Sequence, residues 1–531
     1  MVDKLNGSKE KKEKMKRVSE VEKLGIASVL DLGSNSVKLV NYKINSYNDY
    51  KPYHQESVRL KLSEGLENGV IKENYIENTV ETLKLFRNIV DFERIDYVIS
   101  VATSAIRDAE NRFEILDRIR KETNFDFKIL SENAEALYSY TGAIRSLRIP
   151  SVLFFDIGGG SLEIVFAKNF EIKKVLSLPL GALKLTQMFS NDPSFQLVDF
   201  YKMEQRVIES LPTAETLGIS DTDDLVLVGV GGVLRALANY DQHFKNYPLS
   251  KLHNYKISYA SLDTISERIR SLPVEKIAKI QSIGSGRADT IRAGNLVITQ
   301  LMKKLGFGEL TVSAHGLREG TLALSLQYPN EFETQNISYQ NVKDIIYLSS
   351  QIEGLSESVE DLVRLMFSMN LLSEKERVLL SYALFQINKL WSFRDVDNVL
   401  YSIMDDDSSL NHREQLIVAL ALIYSKKRKK VDPLVLRFEQ ILEINDKKTI
   451  KKISSIVSLC DILHKTSVRI KVIAESPDSI VISIFPKTNI FPEVLFRQFC
   501  DRVQNTLGVS LKINIFYQTS ASSLSRPIGI V

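Results

Sequence analysis

The chain has 531 residues, of which 44% are hydrophobic and 25% charged, a composition typical of globular proteins and not of fibrous or wholly disordered chains. The 69 Lys and Arg residues nearly balance the 66 Asp and Glu residues, so composition alone does not indicate a nucleic-acid-binding protein. Only two cysteines are present, Cys460 and Cys500, which excludes a disulfide framework, and no CxxC or His/Cys cluster indicates a zinc site.

The first 25 residues are rich in charge and predict a solvated tail. Lysines alternate there with glutamates, which does not favour a polyanion-binding arm, and the segment lacks the apolar centre of a signal peptide. The most apolar internal stretches, Gln415–Tyr424 and Val378–Ile387, are shorter than the about 20 residues that a membrane-spanning helix needs. We therefore expect a cytoplasmic protein without membrane contact.

From Ile26 onward, short apolar or β-branched runs alternate with helical patterns, which predicts an α/β region. Strands are expected at Ile26–Leu32, Val37–Ile44, Tyr97–Ala102, Phe127–Leu130, Val152–Ile157 and Leu162–Ala167, and helices near Asn74–Val90, Arg112–Glu122 and Asn133–Leu147. The pattern becomes helical over 329–465, and strands return around a single helix over 466–531. The sequence thus predicts an α/β region, an all-α region and a small α/β end.

One strand–turn–strand pattern occurs twice in the α/β region. Val29–Ser36 and Phe154–Ser161 each have an apolar strand ending in Asp, then an apolar residue, Gly, two small residues and Ser. Such a duplication indicates two similar half-domains. Consecutive backbone N–H groups in turns of small residues form concavities that bind anions, so the two matched turns predict a grip on phosphate from both sides.

The two aspartates, Asp31 and Asp156, would repel phosphate unless a cation lay between them. A divalent ion such as Mg²⁺ or Mn²⁺ resolves this conflict, although each Asp could instead cap its own turn. Alternation along the strands places Glu163 on the face of Ser161, and Lys38 on the face of Ser36. Both side chains could serve the phosphate site, or they could lie on an ordinary strand surface.

Two further groups lie just upstream of the second turn. Ser131 is a candidate N-cap, which places Glu132 and Glu135 in the first turn of a helix. An ionised carboxylate there could deprotonate an attacking water, whereas a solvated capping glutamate is the alternative. Arg107 follows a strand that ends in small residues, where a guanidinium suits bidentate phosphate binding or a surface ion pair. Val228–Val233 is another strand-to-glycine turn that opens a helix.

Together these motifs resemble the exopolyphosphatase/guanosine pentaphosphate phosphohydrolase family, within the sugar kinase, heat-shock chaperone and actin superfold. The resemblance covers about Ile26 to Leu326, and the pair DLGSNS and DIGGGSxE is typical of that family. The motifs are DLGSNS at Asp31–Ser36, ATSAIRDA at Ala102–Ala109, LSENAEA at Leu130–Ala136, DIGGGSLEIV at Asp156–Val165, LPLGALKLT at Leu178–Thr186, VGVGG at Val228–Gly232, GRAD at Gly286–Asp289 and SAHGLREG at Ser313–Gly320.

The resemblance implies two ribonuclease-H-like, actin-type half-domains, 26–148 and 149–328, with the active site in the cleft between them. It implies Glu135 as the catalytic base and Glu163 as a second catalytic group that serves metal and water with Asp156; Asp31 completes the expected metal ligands. The resemblance assigns the phosphate grip to Asp31, Gly33, Ser34, Asn35, Ser36, Gly158, Gly159, Gly160 and Ser161, and phosphate binding to Arg107. Lys38 is added to the expected phosphate-binding residues because it shares a strand face with Ser36. The chain departs from the family at Ala134, where the family usually has a second acid.

The helical region loosely resembles the HD-like domain of longer family members. Around Leu384–Ile387, where its His-Asp pair would lie, there is neither His nor Asp, so a second metal-dependent hydrolase site is not expected. The run Lys426–Lys430 could bind a polyanion tail or be a solvated helix end.

The function expected from this resemblance is release of terminal orthophosphate from inorganic polyphosphate by metal-activated water. The alternative is 5′-phosphohydrolysis of guanosine pentaphosphate with the same residues, and a less favoured one is an inactive phosphate- or nucleotide-binding regulator. A sugar kinase fits less well, because Glu135 and Glu163 suit water activation better than sugar binding. We expect polyphosphate as the partner, no DNA or RNA, and a homodimer.

Overall fold

The structure, a computed structural model, describes residues 25–44, 50–95, 97–189, 197–220, 224–348, 357–390, 395–466, 468–486 and 491–517. The charged segment 1–24 lies outside these residues. The chain divides into two compact units, Met1–Ser350 and Gln351–Val531. No helix among the described residues is both long and apolar enough to cross a bilayer.

The first unit mixes strands and helices. Its strands are β1 (Ile26–Leu32), β2 (Ser36–Ile44), β3 (Tyr50–Arg59), β4 (Leu66–Glu67), β5 (Val70–Ile71), β6 (Tyr97–Ala102), β7 (Phe127–Ile129), β8 (Val152–Ile157), β9 (Leu162–Lys168), β10 (Glu171–Leu178), β11 (Val226–Val230), β12 (Tyr255–Ser258) and β13 (Glu309–Val312). Its helices are α1 (Glu73–Phe92), α2 (Ser104–Asp108), α3 (Arg112–Thr123), α4 (Glu132–Leu147), α5 (Ala182–Phe189), α6 (Leu197–Ser210), α7 (Ala214–Leu217), α8 (Gly232–Phe244), α9 (Tyr259–Ile269), α10 (Val274–Ala278), α11 (Ile291–Leu305), α12 (Leu317–Gln327), α13 (Pro329–Glu333) and α14 (Tyr339–Leu348).

Two larger sheets repeat one topology. The first has the order β3-β2-β1-β6-β7 and the second β10-β9-β8-β11-β13-β12. In each, three consecutive strands form an antiparallel meander, and the first of them also pairs in parallel with a later strand, β6 or β11. The duplication that the sequence motifs Val29–Ser36 and Phe154–Ser161 predict is therefore present in the strand order of both sheets. In register, Asp31 pairs with Lys38 and Asp156 with Glu163.

Helices α4 and α12 pack in a core to which both sheets contribute. One buried cluster contains Val29 of the first sheet, Phe154 of the second, Ile144 of α4 and Leu324 of α12. Glycines allow the two helices to approach closely, because a Cβ on Gly142 would overlap the carbonyl oxygen of Gly316, and one on Gly320 would overlap that of Tyr138. This contact joins an element of the first repeat to an element of the second.

The first unit continues past Tyr328, the residue at which the sequence analysis ends the α/β region. Phe332, Ile337, Val342 and Ile345, in and around α13 and α14, are buried in the same cluster as the strands and α4. The boundary between the two compact units therefore falls at Ser350 and not at Tyr328. Pro329–Asn336 looks turn-rich in sequence, yet Pro329 begins the short helix α13 as its first residue.

The second unit is helical, with a small sheet at its carboxyl end. Its helices are α15 (Glu357–Ser368), α16 (Glu374–Leu390), α17 (Val396–Met404), α18 (His412–Lys426), α19 (Val431–Arg437), α20 (Asp446–Thr466) and α21 (Glu493–Leu507), with a 3₁₀ turn at Arg428–Lys430. The strands β14 (Arg469–Ser476), β15 (Ser479–Phe485) and β16 (Ser510–Ile515) form a sheet in that order. β14 runs antiparallel and β16 parallel to β15.

Substitution at the α4–α12 contact tests this packing. We expect Gly320→Ala to destabilise the first unit by about 1–3 kcal/mol or more, because the methyl group must displace backbone and not a mobile side chain. Thermal and urea unfolding provide the measurement. Gly308→Ala is the matched control, since no atom lies within 4 Å of a Cβ built there, and it should change stability by less than about 0.5 kcal/mol. Equal stability of the two variants would contradict the packing.

Candidate active site

The two glycine-containing turns close with the same hydrogen bond. The Gly33 N–H donates to the Ser36 carbonyl at 3.0 Å, and the Gly158 N–H donates to the Ser161 carbonyl at 3.0 Å. Both turns line one cavity of about 140 Å³ in the first unit. The predicted turn residues in this lining are Gly33, Ser34, Asn35, Ser36, Gly158, Gly159, Gly160 and Ser161. The repeat therefore brings the two predicted phosphate-binding turns together.

The turns lie close enough to require glycine. The Ser34 and Ser104 hydroxyls share a hydrogen bond, and a Cβ on Gly160 would lie 2.6 Å from Ser104 Oγ. A Cβ on Gly159 would lie 3.3 Å from the Ser34 Cβ. The start of α5 also holds the second turn, because the Ala182 N–H donates to the Gly158 carbonyl at 3.0 Å. A side chain at Gly159 would crowd the first turn at Ser34, and one at Gly160 would clash with Ser104 at the start of α2.

Four of the predicted acids line the same cavity: Asp31, Glu135, Asp156 and Glu163. Asp31 lies 3.8 Å from Lys38 Nζ, and Asp156 Oδ2 accepts a hydrogen bond from Ser139 Oγ at 2.6 Å. Glu163 is almost completely buried and accepts from Ser177 Oγ at 3.2 Å. The acids and the phosphate turns thus share one space.

Burial and mutual repulsion change how these acids titrate. The pKa of Glu135 is raised to about 7: burial raises it most, Arg107 opposes the rise, and the charges of Asp156 and Asp31 add to it. The pKa of Glu163 lies well above its usual range because of burial and the charges of Glu135 and Asp156. Burial also raises the pKa of Asp156. A carboxyl that titrates near neutral pH is suited to accept a proton from water.

Glu135 lies where the sequence predicts it, in the first turn of α4. The Ser131 N-cap is confirmed, since its side chain accepts from the Ala134 N–H at 3.2 Å. Arg107 Nη1 donates to Glu135 Oε2 at 2.8 Å and to the Leu130 carbonyl at 2.9 Å. Arg107 is not among the residues that line the cavity. In this structure its contact is with the candidate base, so it orients Glu135 whether or not it also binds phosphate.

The sequence analysis did not assign three arginines that line the cavity with Lys38: Arg235, Arg287 and Arg318. Arg287 and Arg318 lie inside the GRAD and SAHGLREG motifs, which were the available signal, whereas Arg235 lies four residues after Gly231 in α8. Burial, together with the charges of the neighbouring arginines, lowers the pKa of Lys38 to about 8 and that of Arg235 to about 10. The cavity therefore has a cationic wall as well as acids.

Glu319, the third residue of α12, is a further acid that lines the cavity. Its carboxylate accepts hydrogen bonds from Tyr42 Oη at 2.7 Å and from the Gly316 N–H at 2.9 Å. Burial opposes ionisation, but the adjacent Arg318 and these hydrogen bonds lower the pKa of Glu319 below its usual range. Because Tyr42 belongs to β2, these hydrogen bonds hold the start of α12 against the first sheet. They thereby also fix the position of Arg318, the residue before Glu319.

The fold and the site together define a protein with duplicated halves and a cavity built for phosphate and acid–base chemistry. The Ppx/GppA phosphatase family model matches residues 43–328, which is more than half of the chain. The chain belongs to the Ppx/GppA phosphatase family. The resemblance read from the sequence motifs is thereby confirmed, while the helical second unit lies outside the matched region.

Named relatives agree with this assignment, and a solved structure agrees with the fold. The chain is 27% identical over 305 residues to exopolyphosphatase 1 of Mycobacterium tuberculosis, which covers 56% of this chain and 87% of that one. It is 26% identical over 304 residues to a bifunctional 3-dehydroquinate synthase/phosphatase of Fusobacterium nucleatum, covering 54% of this chain but only 44% of that relative. The crystal structure of an exopolyphosphatase from Cytophaga hutchinsonii superposes with a TM-score of 0.54 at 24% identity, covering 59% and 99% of the two chains. This likeness supports the mixed α/β fold.

The Arg107–Glu135 contact predicts a change in pH dependence. Burial raises the pKa of Glu135, so a base at this position would act above that pKa and stop acting as pH falls through it. Arg107→Gln removes a charge that lowers this pKa, and the acidic limb of the kcat/KM profile for phosphate release should move to higher pH. Arg107→Lys, which keeps the charge, should move it less. An unshifted limb in Arg107→Gln would show that Arg107 does not act through Glu135.

Proposed function

We propose that the protein is an exopolyphosphatase, which releases terminal orthophosphate from inorganic polyphosphate. The observation that carries the proposal is the convergence of two phosphate turns, a cationic wall and buried acids on one cavity. A chain of phosphates needs cations and backbone N–H groups along it, and its hydrolysis needs a base beside the terminal phosphorus. A relative named exopolyphosphatase 1 matches 56% of this chain, which supports the choice of substrate.

The proposed roles follow from position. The turns Gly33–Ser36 and Gly158–Ser161, with Lys38, hold the terminal phosphate, and Glu135 takes a proton from the attacking water. Glu163 would orient that water, because it lies close enough to Glu135 for their charges to interact. Cys460 and Cys500 are buried, with thiol pKa values raised to about 12 by burial, so neither is suited to act as a covalent nucleophile.

The donor set fits a divalent cation. Asp31, Asp156 and Glu163 offer the carboxylate oxygens that Mg²⁺ or Mn²⁺ prefers. Burial raises the pKa values of Asp156 and Glu163, and the charge of Asp31 on Asp156 and that of Asp156 on Glu163 add a repulsion that a cation would relieve. We propose these three residues as the ligands. When bound, such an ion neutralises charge on the phosphate and lowers the pKa of bound water.

The second candidate function is 5′-phosphohydrolysis of guanosine pentaphosphate, which the family name also covers. The same turns and acids would serve it, because both reactions cleave a terminal phosphoanhydride. Phosphate release from long polyphosphate, guanosine pentaphosphate and ATP, compared side by side with Mg²⁺, tests the choice. The proposal requires kcat/KM to be greatest for polyphosphate; a preference for guanosine pentaphosphate would replace it.

Removing the base tests the mechanism. Glu135→Gln keeps the shape of the side chain but cannot accept the proton, so turnover should fall by about two to four orders of magnitude while polyphosphate still binds. Phosphate release and calorimetric binding are measured in parallel. Glu132→Gln is the matched control, because Glu132 lies in the same turn of α4 but is exposed and not part of the cavity lining. A Glu135→Gln variant with more than half of the parental turnover would remove Glu135 from the mechanism.

We propose that the second unit is a degenerate HD-like domain that binds distal parts of long substrate. Near the position expected for the His-Asp pair, Gln386 Nε2 donates to Asp406 Oδ2 at 2.8 Å, a hydrogen bond that needs no metal. Lys426–Lys430 is exposed throughout, and Arg428 lies near enough to Arg502 to lower its pKa. The cytoplasmic location, the homodimer and the absence of nucleic-acid binding stay predictions.

Neutralising the basic run tests this role. Replacing Lys427, Lys429 and Lys430 by Gln should leave hydrolysis of tripolyphosphate unchanged, because these residues lie outside the first unit. On long chains the variant should release partly shortened products more often, and the difference should fade at high salt as charges are screened. Product-length distributions at low and high salt provide the measurement. Identical distributions at low salt would refute a substrate-binding role for the run.

A further inference from the structure

Two arginines of the cavity wall, the buried Arg318 and the partly buried Arg235, have guanidinium groups without an ion-pair partner among the described residues. Arg318 is only 7% exposed, and its Nη1 atom has no hydrogen-bond partner. In the described part of the chain, the Arg235 guanidinium has no hydrogen-bonded or ion-paired acid. Both line the cavity that contains the phosphate turns, although they belong to neither turn. Buried polar groups are normally paired, so the unpaired Nη1 of Arg318, with the Arg235 guanidinium lining the same cavity, indicates a ligand that brings the acceptors.

The two guanidinium groups also repel one another. Arg318 is the largest charge influence on Arg235 after burial, and it acts against the charged state of Arg235. The nearest acid to Arg318 in sequence, Glu319, is already engaged with Tyr42 and the Gly316 N–H. Two like charges held together in a buried cavity are stabilised by an anion that contacts both. Phosphate suits this arrangement because a guanidinium can donate to its oxygens in pairs.

Backbone geometry fixes Arg235 relative to the second turn. The N-cap of α8 is Gly231, with φ of +127°, and a Cβ there would clash with the carbonyl oxygen of Ile157, the residue before Gly158. The first helical hydrogen bond of α8 runs from the Arg235 N–H to the Gly231 carbonyl at 3.1 Å. Arg235 therefore lies one helical turn from the phosphate grip, beside it and not within it.

We propose that Arg235 and Arg318 form a second phosphate subsite, which binds the phosphate next to the terminal one in a polyphosphate chain. The inference rests on the proposed function, in which the turns hold the terminal phosphate. During hydrolysis the water oxygen bonds to the terminal phosphorus while the bond from that phosphorus to the bridging oxygen breaks. The bridging oxygen leaves with the electron pair on the shortened chain, and the proton from water passes to Glu135. A subsite at the second phosphate stabilises the charge that develops on this leaving group.

The subsite makes the protein selective for ligands with at least two consecutive phosphates. In the Glu135→Gln background, Arg235→Gln should weaken pyrophosphate and tripolyphosphate binding by about tenfold or more, the scale of a lost charge-assisted hydrogen bond. Orthophosphate, which fits the turns alone, should change by less than about threefold. Arg235→Lys keeps the positive charge but loses the paired guanidinium N–H donors, so its pyrophosphate affinity should lie between those of the parent and Arg235→Gln. Isothermal titration calorimetry with these three anions is the measurement.

The control is Arg206→Gln, an equal loss of charge at an exposed position of α6 outside the cavity lining. Pyrophosphate affinity in Arg235→Gln equal to that in Arg206→Gln would overturn the proposal, and so would an equal loss of orthophosphate and pyrophosphate affinity, which would place Arg235 at the terminal phosphate. If Arg235→Gln fails to fold by thermal melting, Arg235→Lys decides by the same criterion. Phosphate release by the unmodified protein tests the proposed function separately: selective loss of pyrophosphate affinity without polyphosphate hydrolysis would keep the subsite and reject the function.

Discussion

The site depends on the close contact between α4 and α12. Gly142 and Gly320 let the two helices approach until backbone touches backbone, and each helix begins at the cavity. The first turn of α4 holds Glu135, and the first turn of α12 holds Arg318 and Glu319. Tyr50 Oη also donates to the Glu319 carbonyl at 2.8 Å, which ties β3 of the first sheet to α12. A shift between these helices would therefore move the candidate base relative to the cationic wall.

The charges of the cavity are poorly satisfied by the protein alone. Burial and the neighbouring carboxylates raise the pKa values of Glu135 and Glu163, and the partly buried cations Lys38, Arg235 and Arg287 have lowered pKa values. A divalent cation among the acids and a phosphate chain along the cations would relieve both kinds of repulsion at once. Binding sites often retain such unfavourable arrangements because the ligand supplies the missing charge. The charge distribution of the cavity thus supports both the proposed binding of a divalent cation and the proposed binding of a phosphate chain.

Sequence patterns predicted strands well where apolar runs are continuous and poorly where exposed polar residues interrupt them. The bounds of β1, β6 and β8 match expectation because continuous apolar runs mark strands covered on both faces. The third strand of each meander, β3 and β10, was missed. Most residues of β3 are exposed polar or charged side chains at a sheet edge, and only backbone pairing with β2 identifies it as a strand. The helices after Tyr328 were assigned to the next region because their buried contacts join residues distant in sequence.

The candidate site could be predicted where chemistry and local pattern coincide. The duplicated turns and their aspartates share a spacing that sequence alone reveals, and the structure places them around one cavity. No sequence motif distinguishes Arg235, because arginines are common in amphipathic helices. Only the fold places it beside other cations in the cavity. Arg107 has a motif, but its contact with Glu135 depends on how α2 and α4 meet. The roles proposed for Arg235 and Arg107 therefore depend on tertiary contacts, which local sequence patterns do not encode.

The most direct test of the account is an experimental structure of the Glu135→Gln variant with tripolyphosphate and Mg²⁺. The account predicts that the terminal phosphate contacts backbone N–H groups of both turns, Gly33–Ser36 and Gly158–Ser161, with the side chain at position 135 facing its phosphorus. A terminal phosphate held by one turn alone, or a chain bound outside this cavity, would contradict the claim that the two repeats form a single phosphate grip.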